Sequence, residues 1–198
     1  ANQVSSGRNH IAFLKNKYPN VSSLEVDLTP VFDTFVAQVP TVEDNALALA
    51  NTRARLRMTT LYYFAGLQGY MVVGTGNKIE DFGVGFFTKY GDGGVDVSPI
   101  GDLYKSEVYE VGRYLGVLPE ILQAAPTDGL FGDDRTDEDQ LGATYDELEW
   151  AMRLVESGAE ETHLTPRQSQ VLAIFKRLNK ANQHKMIPIP VCRVKNEE

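Results

Sequence analysis

Two stretches of this 198-residue chain gather the residue types that do chemistry. In GTGNKIED, Thr75 and Glu80 follow a short apolar run. Small residues after such a run let a ligand approach the backbone. Thr75 could donate to a nucleotide, and Glu80 could hold a hard cation such as Mg²⁺. An ordinary strand-to-helix turn with solvated charges explains the same residues equally well. In GFFTKYGDGGVD, residues 85–96, Lys89 is a compact cation that could meet a phosphate or carboxylate. Asp92 and Asp96 could accept from a sugar or an amide, and Phe86, Phe87 and Tyr90 could stack on a flat ring. A Gly-rich turn with its aromatics in the core is the competing account.

Weaker cationic signals surround these two. In NTRARLRM, Arg53 and Arg57 are i,i+4 neighbours on one helix face and Arg55 points roughly the other way. Lys105 stands near the start of a helix, where a lysine opposes the macrodipole and suits an anionic ligand. His184 and Lys185 are expected just after the last helix. Only three histidines exist, His10, His163 and His184. Their wide spacing argues against a His-based zinc site. No G-x-S-x-G elbow, Walker loop or G-x-G-x-x-G fingerprint occurs. Several cations, one strand-end carboxylate and stacking aromatics, without a nucleophile motif, point to binding a phosphorylated, aromatic small molecule together with Mg²⁺.

These residues need elements to hold them. The spacing predicts a helix over residues 8–19 ending at Pro19, with Ile11, Leu14 and Tyr18 on one face. Alternating Leu24, Val26 and Leu28 predict a strand ending at Pro30. Leu47, Ala50, Ala54, Met58, Leu61 and Ala65 predict a long helix. Thr41 with Asp44 resembles its capping box, and Gly66 or Gly69 its stop. Tyr70–Gly74 reads as a buried strand. Further helices are expected over DLYKSEVYEVGRYLG (stopped by Gly116), YDELEWAMRLVESG and TPRQSQVLAIFKRLNKANQHK (Pro166 in the first turn), followed by an irregular tail. Strands alternating with helices predict a doubly wound α/β fold, with a mostly parallel sheet and helices on both faces. Ligands in such sheets bind beyond the carboxyl ends of the strands, where Thr75 and Glu80 fall.

Composition narrows the partners. The net charge is −8, which disfavours nucleic acid as a main partner because such domains carry a basic face. The one cysteine rules out an intrachain disulfide framework and fits a cytoplasmic location. No apolar run approaches the roughly 18 residues that span a membrane, so no membrane partner is expected.

The run NTRARLRM…VVGTGNKIED…GFFTKYGDGGVDVSPIGDLYKSEV…PTDGL…DEDQLGATYDEL…HK resembles NAD synthetase from about Asn51 to Lys185. GFFTKYGDGG is the most specific part. The spacing from Pro99 to Lys105 is shared more loosely with other ATP pyrophosphatases such as GMP synthetase. The resemblance implies a ligase of the adenine nucleotide alpha hydrolase-like, Rossmann-like fold. That enzyme amidates deamido-NAD with ammonia to NAD, releasing AMP and pyrophosphate through an adenylated intermediate. It implies Thr75, Lys105 and Thr127 as ATP contacts and Glu80 as a Mg²⁺ ligand. Arg55, Lys89, Asp96, His184 and Lys185 would contact deamido-NAD, and a homodimer is implied, with no nucleophile among the site residues. The short HK ending resembles the ammonia-dependent form.

One departure bears on activity. The family's S-G-G-x-D-S phosphate loop has no match, since VSSGRNH lacks the second glycine and the aspartate. The expectation is a single domain over residues 1–198 without its first strand, phosphate loop and following elements, and inefficient as a catalyst by itself. The alternatives are a different ATP pyrophosphatase, GMP synthetase-like, or a non-catalytic nucleotide-binding fragment.

Overall fold

The computed structural model describes residues 2–40, 42–127 and 136–194. Its helices are α1 (Asn2–Lys17), α2 (Thr29–Gln38), α3 (Ala46–Gln68), α4 (Lys105–Leu115), α5 (Pro119–Leu122), α6 (Asp137–Leu141), α7 (Tyr145–Ser157) and α8 (Pro166–Met186). A π-helical segment, Ile79–Val84, lies between α3 and α4. Local chemistry accounts for most of the boundaries. Gly69 and Gly116 close α3 and α4 in the left-handed conformation. Thr144 and Thr165 cap α7 and α8, each with an acceptor side chain three residues on. Pro166 occupies the first turn of α8, where its missing N–H costs nothing.

The expected doubly wound α/β sheet is corrected by this structure. Among the described residues the β-pairing is a single parallel bridge, Val73 to Val97. Residues 19–28, expected to contain the Leu24–Leu28 strand, are irregular, and Pro30 opens α2 instead of ending a strand. The Tyr70–Gly74 segment meets residues 96 and 97 through Gly74 N–H to Val97 O at 2.7 Å and Asp96 N–H to Val72 O at 2.9 Å. Apolar alternation makes a segment fit a sheet, but a ladder needs a lateral partner for its N–H and C=O groups. Residues 22–28 and 70–73 instead line one apolar groove of about 710 Å³, with Leu24, Tyr70 and Met71 well exposed. The α3 stripe is also only partly covered: Ala50, Ala54 and Ala65 are buried, while Leu47 and Leu61 are exposed. The Thr41–Asp44 capping box lies partly outside the described residues. Asn45, which precedes α3, makes no side-chain cap.

The packed core is helical. α7, α8 and the π-helical segment bury Ile79, Val84, Leu148, Met152, Val171, Leu172 and Phe175 against one another. Ile79 and Leu148 are fully buried. Arg167 on α8 grips Glu147 on α7 with two charge-assisted bonds, at 2.7 and 2.6 Å. Glu147 also accepts from the backbone N–H of Thr144 at 2.9 Å. These donors, Arg167 first, pull the Glu147 carboxyl from 4.5 down to about 2. A depressed carboxyl pKa stabilises the fold above the unfolded value, and that contribution disappears as pH falls toward the folded value. The stability gap between the native chain and Glu147→Gln is therefore expected to be full at pH 7. It should shrink between about pH 4.5 and pH 2. Denaturant midpoints across that range measure it, and a gap that does not depend on pH contradicts the assignment.

Candidate functional site

Glu80 sits in the first turn of the π-helical segment and Lys105 is the first residue of α4. Their side chains meet at 2.9 Å with only 15% and 20% exposure. Glu80 Oε1 also accepts the Tyr145 hydroxyl at 2.7 Å, and Oε2 accepts the Asn77 backbone N–H at 3.2 Å. The Lys105 ammonium lies 4.6 Å from the Tyr145 ring centroid, within cation–π range. The same hydroxyl reaches the buried Asp137 carboxylate at 3.3 Å. Burial, then Glu80, then Asp137 drive the Tyr145 phenol pKa far upward, so it stays a donor. The backbone N–H of Asp137 donates to Pro126 O at 3.0 Å, which ties the neighbour of Thr127 to this cluster. The rest of the PTDGL motif lies outside the described residues.

Asp81, beside Glu80, is pushed up to about 6 by burial and by the charges of Glu80 and Asp92. A Cβ on Gly76 would fall 2.2–2.4 Å from the Asp81 carboxylate, so a larger residue there would have to displace that side chain. Thr75 is exposed on the wall of a cavity of about 330 Å³ that it shares with Asp92, Arg57 and Met58.

The GFFTKYGDGG loop is built as a tight structure with few free groups. Thr88 N–H donates to the Asp92 carboxylate at 3.0 Å, and its hydroxyl bonds Asn51 of α3 at 2.6 Å. The backbone carbonyl of Lys89 accepts from Arg55 Nε at 3.3 Å. α8 clasps the start of the loop. Asn179, Asn182 and Lys185 donate to the carbonyls of Gly83, Val84 and Gly85, and Lys185 also to Phe87, at 2.7–2.8 Å. Lys89 reaches back to the carbonyl of His184. Burial lowers the Lys185 pKa, and the Asp92 charge partly offsets this. Gly85 has φ +64° and lies so close to α8 that a Cβ would come 2.4 Å from the Asn182 Cβ. Phe86 packs on the core, while Tyr90 is exposed.

The structure thus joins Glu80 with Lys105, and Arg55, Lys89, His184 and Lys185 with one another. It holds Asp96 apart from both groups: its carboxylate accepts from Tyr62 at 3.0 Å and from the Val72 N–H at 2.8 Å. His184 and Lys185 lie in the last turn of α8, which ends at Met186, rather than after it. Sequence reasoning placed Asn77 in the strand-end loop beside Thr75 and Glu80, and missed Tyr145, Asp137 and Asn51. Tyr145 reads only as the first apolar residue of a helix, and its hydroxyl partner is 65 residues away.

Among the described residues, no group of three or more His, Cys, Asp or Glu is set to hold a metal ion. No helix among them is long and apolar enough to cross a membrane.

The NAD synthase family model matches residues 5–188, and the chain belongs to that family. It is 42% identical over 166 residues to an NH(3)-dependent NAD(+) synthetase of Methanococcoides burtonii, covering 81% of this chain and 62% of that one. It is 40% identical over 169 residues to the Carboxydothermus hydrogenoformans protein of the same name, covering 84% and 65%. It therefore spans a little under two thirds of the length of these relatives. A solved NMN synthetase from Francisella tularensis superposes with a TM-score of 0.73 at 30% identity, covering 94% of this chain and 72% of that one. An NH3-dependent NAD synthetase from Campylobacter jejuni, solved with a nitrate ion, superposes at 0.63 and 26%, covering 85% and 64%. The architecture seen here is accordingly that of the family, although the α/β sheet expected from the sequence is absent among the described residues.

The Lys185 clasp has a testable consequence. Lys185→Met leaves the carbonyls of Gly85 and Phe87 without their donor, a loss on the order of 1–3 kcal/mol for buried acceptors. Amide hydrogen exchange at Gly91 and Gly93 is expected to accelerate. Exchange in the middle of α7 should be unchanged. Uniform acceleration would show a global effect instead of a loop clasp.

Proposed function

We propose that the full-length protein is an ammonia-dependent NAD synthetase, amidating deamido-NAD with ATP to give NAD, AMP and pyrophosphate. The observation that supports this most is the membership of residues 5–188 in the NAD synthase family, with similar relatives named NH(3)-dependent NAD(+) synthetase. The chemistry is consistent with the site. A carboxylate is a poor acyl donor because oxide would have to leave, and adenylation supplies a good leaving group. Two polyanions must then be held together, a task for cations and positioning without a covalent nucleophile. Lys105 spends one of its three N–H donors on Glu80, and on this reading offers the others to ATP, with Thr75 and Thr127 as further contacts. Arg55, Lys89 and the α8 end with His184 and Lys185 bound the deamido-NAD side. Asp96 is part of that side only if its bonds to Tyr62 and Val72 open.

Magnesium fits Glu80 in a limited way. Mg²⁺ commonly takes one or two carboxylates and fills its shell with water and phosphate oxygens, and Glu80 Oε2 is engaged by a single backbone N–H. When bound there, the ion neutralises phosphate charge. On the family reading the protein acts as a homodimer in the cytoplasm. Sedimentation equilibrium tests the assembly, and a purely monomeric species at micromolar concentration counts against it.

A second reading is favoured by one observation. The structure with the TM-score of 0.73 is an NMN synthetase, so a mononucleotide is a rival substrate. Full-length protein given ATP, Mg²⁺ and ammonium, with either deamido-NAD or nicotinate mononucleotide, separates the two. Amidated dinucleotide is the expected main product. Turnover of the mononucleotide alone replaces the reading, and no product with either overturns it. In the same assay Glu80→Gln is expected to remove most ATP-dependent turnover with the fold intact. Unchanged turnover at limiting Mg²⁺ argues against a metal role for Glu80.

Lys89 carries the other half of the reading. Lys89→Ala is expected to weaken use of deamido-NAD by about 1.5–3 kcal/mol, the range for a hydrogen bond to a charged group, and to spare ATP. Steady-state kinetics with each substrate varied in turn measure this. Equal losses for both substrates would make the loop a structural turn.

A further inference from the structure

We propose that Tyr145 and Glu149 of α7 are positioning residues for Lys105, so that α7 sets where this ammonium meets its nucleotide. The inference rests on the ATP role given to Lys105 above. Tyr145 and Glu149 are i,i+4 neighbours and leave α7 on one face. Both are buried, at 5% and 7% exposure. The same face packs Leu148 and Met152 into the core, where a phenol and a carboxylate need partners.

The partners of both converge on the start of α4. Glu149 accepts from the backbone N–H of Ser106 at 2.8 Å and from its hydroxyl at 2.7 Å. Ser106 follows Lys105, in the first turn, where helix N–H groups lack partners within the helix and a negative charge suits the dipole. Tyr145 gives its hydroxyl to Glu80 at 2.7 Å and its ring to the Lys105 ammonium at 4.6 Å. Lys105 is therefore held at both ends: its backbone by Glu149 through Ser106, its ammonium by Glu80 and the ring that orients Glu80. A free lysine side chain loses rotamer entropy when a ligand fixes it. One fixed beforehand avoids that loss at the moment of binding. None of this requires Tyr145 or Glu149 to touch the nucleotide.

The test uses the full-length protein with ATP as the probe, and a spectroscopic readout that needs no ligand. Tyr145→Phe keeps the ring and removes the hydroxyl. It is expected to weaken ATP binding about three- to tenfold, the loss of one hydrogen bond and the order it imposes. Deamido-NAD binding should be unchanged, and in a Lys105→Met background Tyr145→Phe should have no effect on ATP. Glu149→Gln, which keeps one acceptor, should weaken ATP less than Glu149→Ala. In the unliganded protein the Lys105 ε-methylene resonance should be shifted by the ring and should move to the position of solvated lysines in Tyr145→Leu. Equal losses for both substrates, the same Tyr145→Phe loss without Lys105, or an unshifted ε-methylene each overturn the proposal. If Lys105→Met leaves ATP affinity unchanged, the nucleotide role of Lys105 fails. The ε-methylene shift still reports separately whether α7 positions the side chain.

Discussion

The carboxylate of Glu80 facing the ammonium of Lys105 at 2.9 Å, both mostly shielded from water, is the contact around which the rest is arranged. Removing two charges from water is costly, and their attraction offsets that cost only when further hydrogen bonds satisfy the remaining lone pairs and protons. The chain meets the carboxylate half of this condition with donors from separate elements. Asn77 contributes from the loop before the π-helical segment and Tyr145 from the start of α7. Because α7 is locked into the core by Leu148 and Met152, the pair inherits the rigidity of that core.

The Gly-rich loop is held by different physics. Its carbonyls are taken up by amide and ammonium donors of α8, and its interior by Thr88 bonding to Asn51 and Asp92. Exposed cations on a loose turn bind weakly because each must be ordered anew. Here the turn is ordered by backbone contacts, and Lys89 and Arg55 are set on an already shaped surface. Asp81 adjoins Glu80 and feels the charge of Asp92 in this loop. Burial first, and then the charges of Glu80 and Asp92, raise its pKa to about 6. Lys105 pairs with Glu80, and the charge of Lys185 acts on Asp92.

Local rules were legible in the sequence. Gly69, Gly116 and Pro166 mark helix ends by backbone conformation alone, and the helices they bound are where periodicity put them. Glu80 and Lys89 stood out as charges set beside small residues, and Lys105 as a cation opposing a helix dipole. The family pattern tipped the balance against a plain turn. The sheet was misread for a physical reason: alternation in Leu24–Leu28 and Tyr70–Gly74 measures fitness for a pleated surface, whereas a strand exists only with a neighbour to pair with. Among the described residues, Val97 pairs with Val73 and the rest of both segments borders a groove.

The sequence by itself determined the helices, their caps, and the family pattern that names Glu80, Lys105 and GFFTKYGDGG as residues of interest. Only the tertiary structure decided that Tyr145 bonds Glu80, that Glu149 holds the start of α4, and that Asp96 is occupied by Tyr62 and Val72. It also showed the backbone carbonyl of His184 accepting from Lys89, and Lys185 spent on the carbonyls of Gly85 and Phe87. The reason is range. A cap or a turn is settled by residues within about four positions, while a buried phenol or carboxylate takes whichever partner the packing brings within hydrogen-bond distance. For Tyr145 and Glu149 those partners lie 65 and 43 residues away.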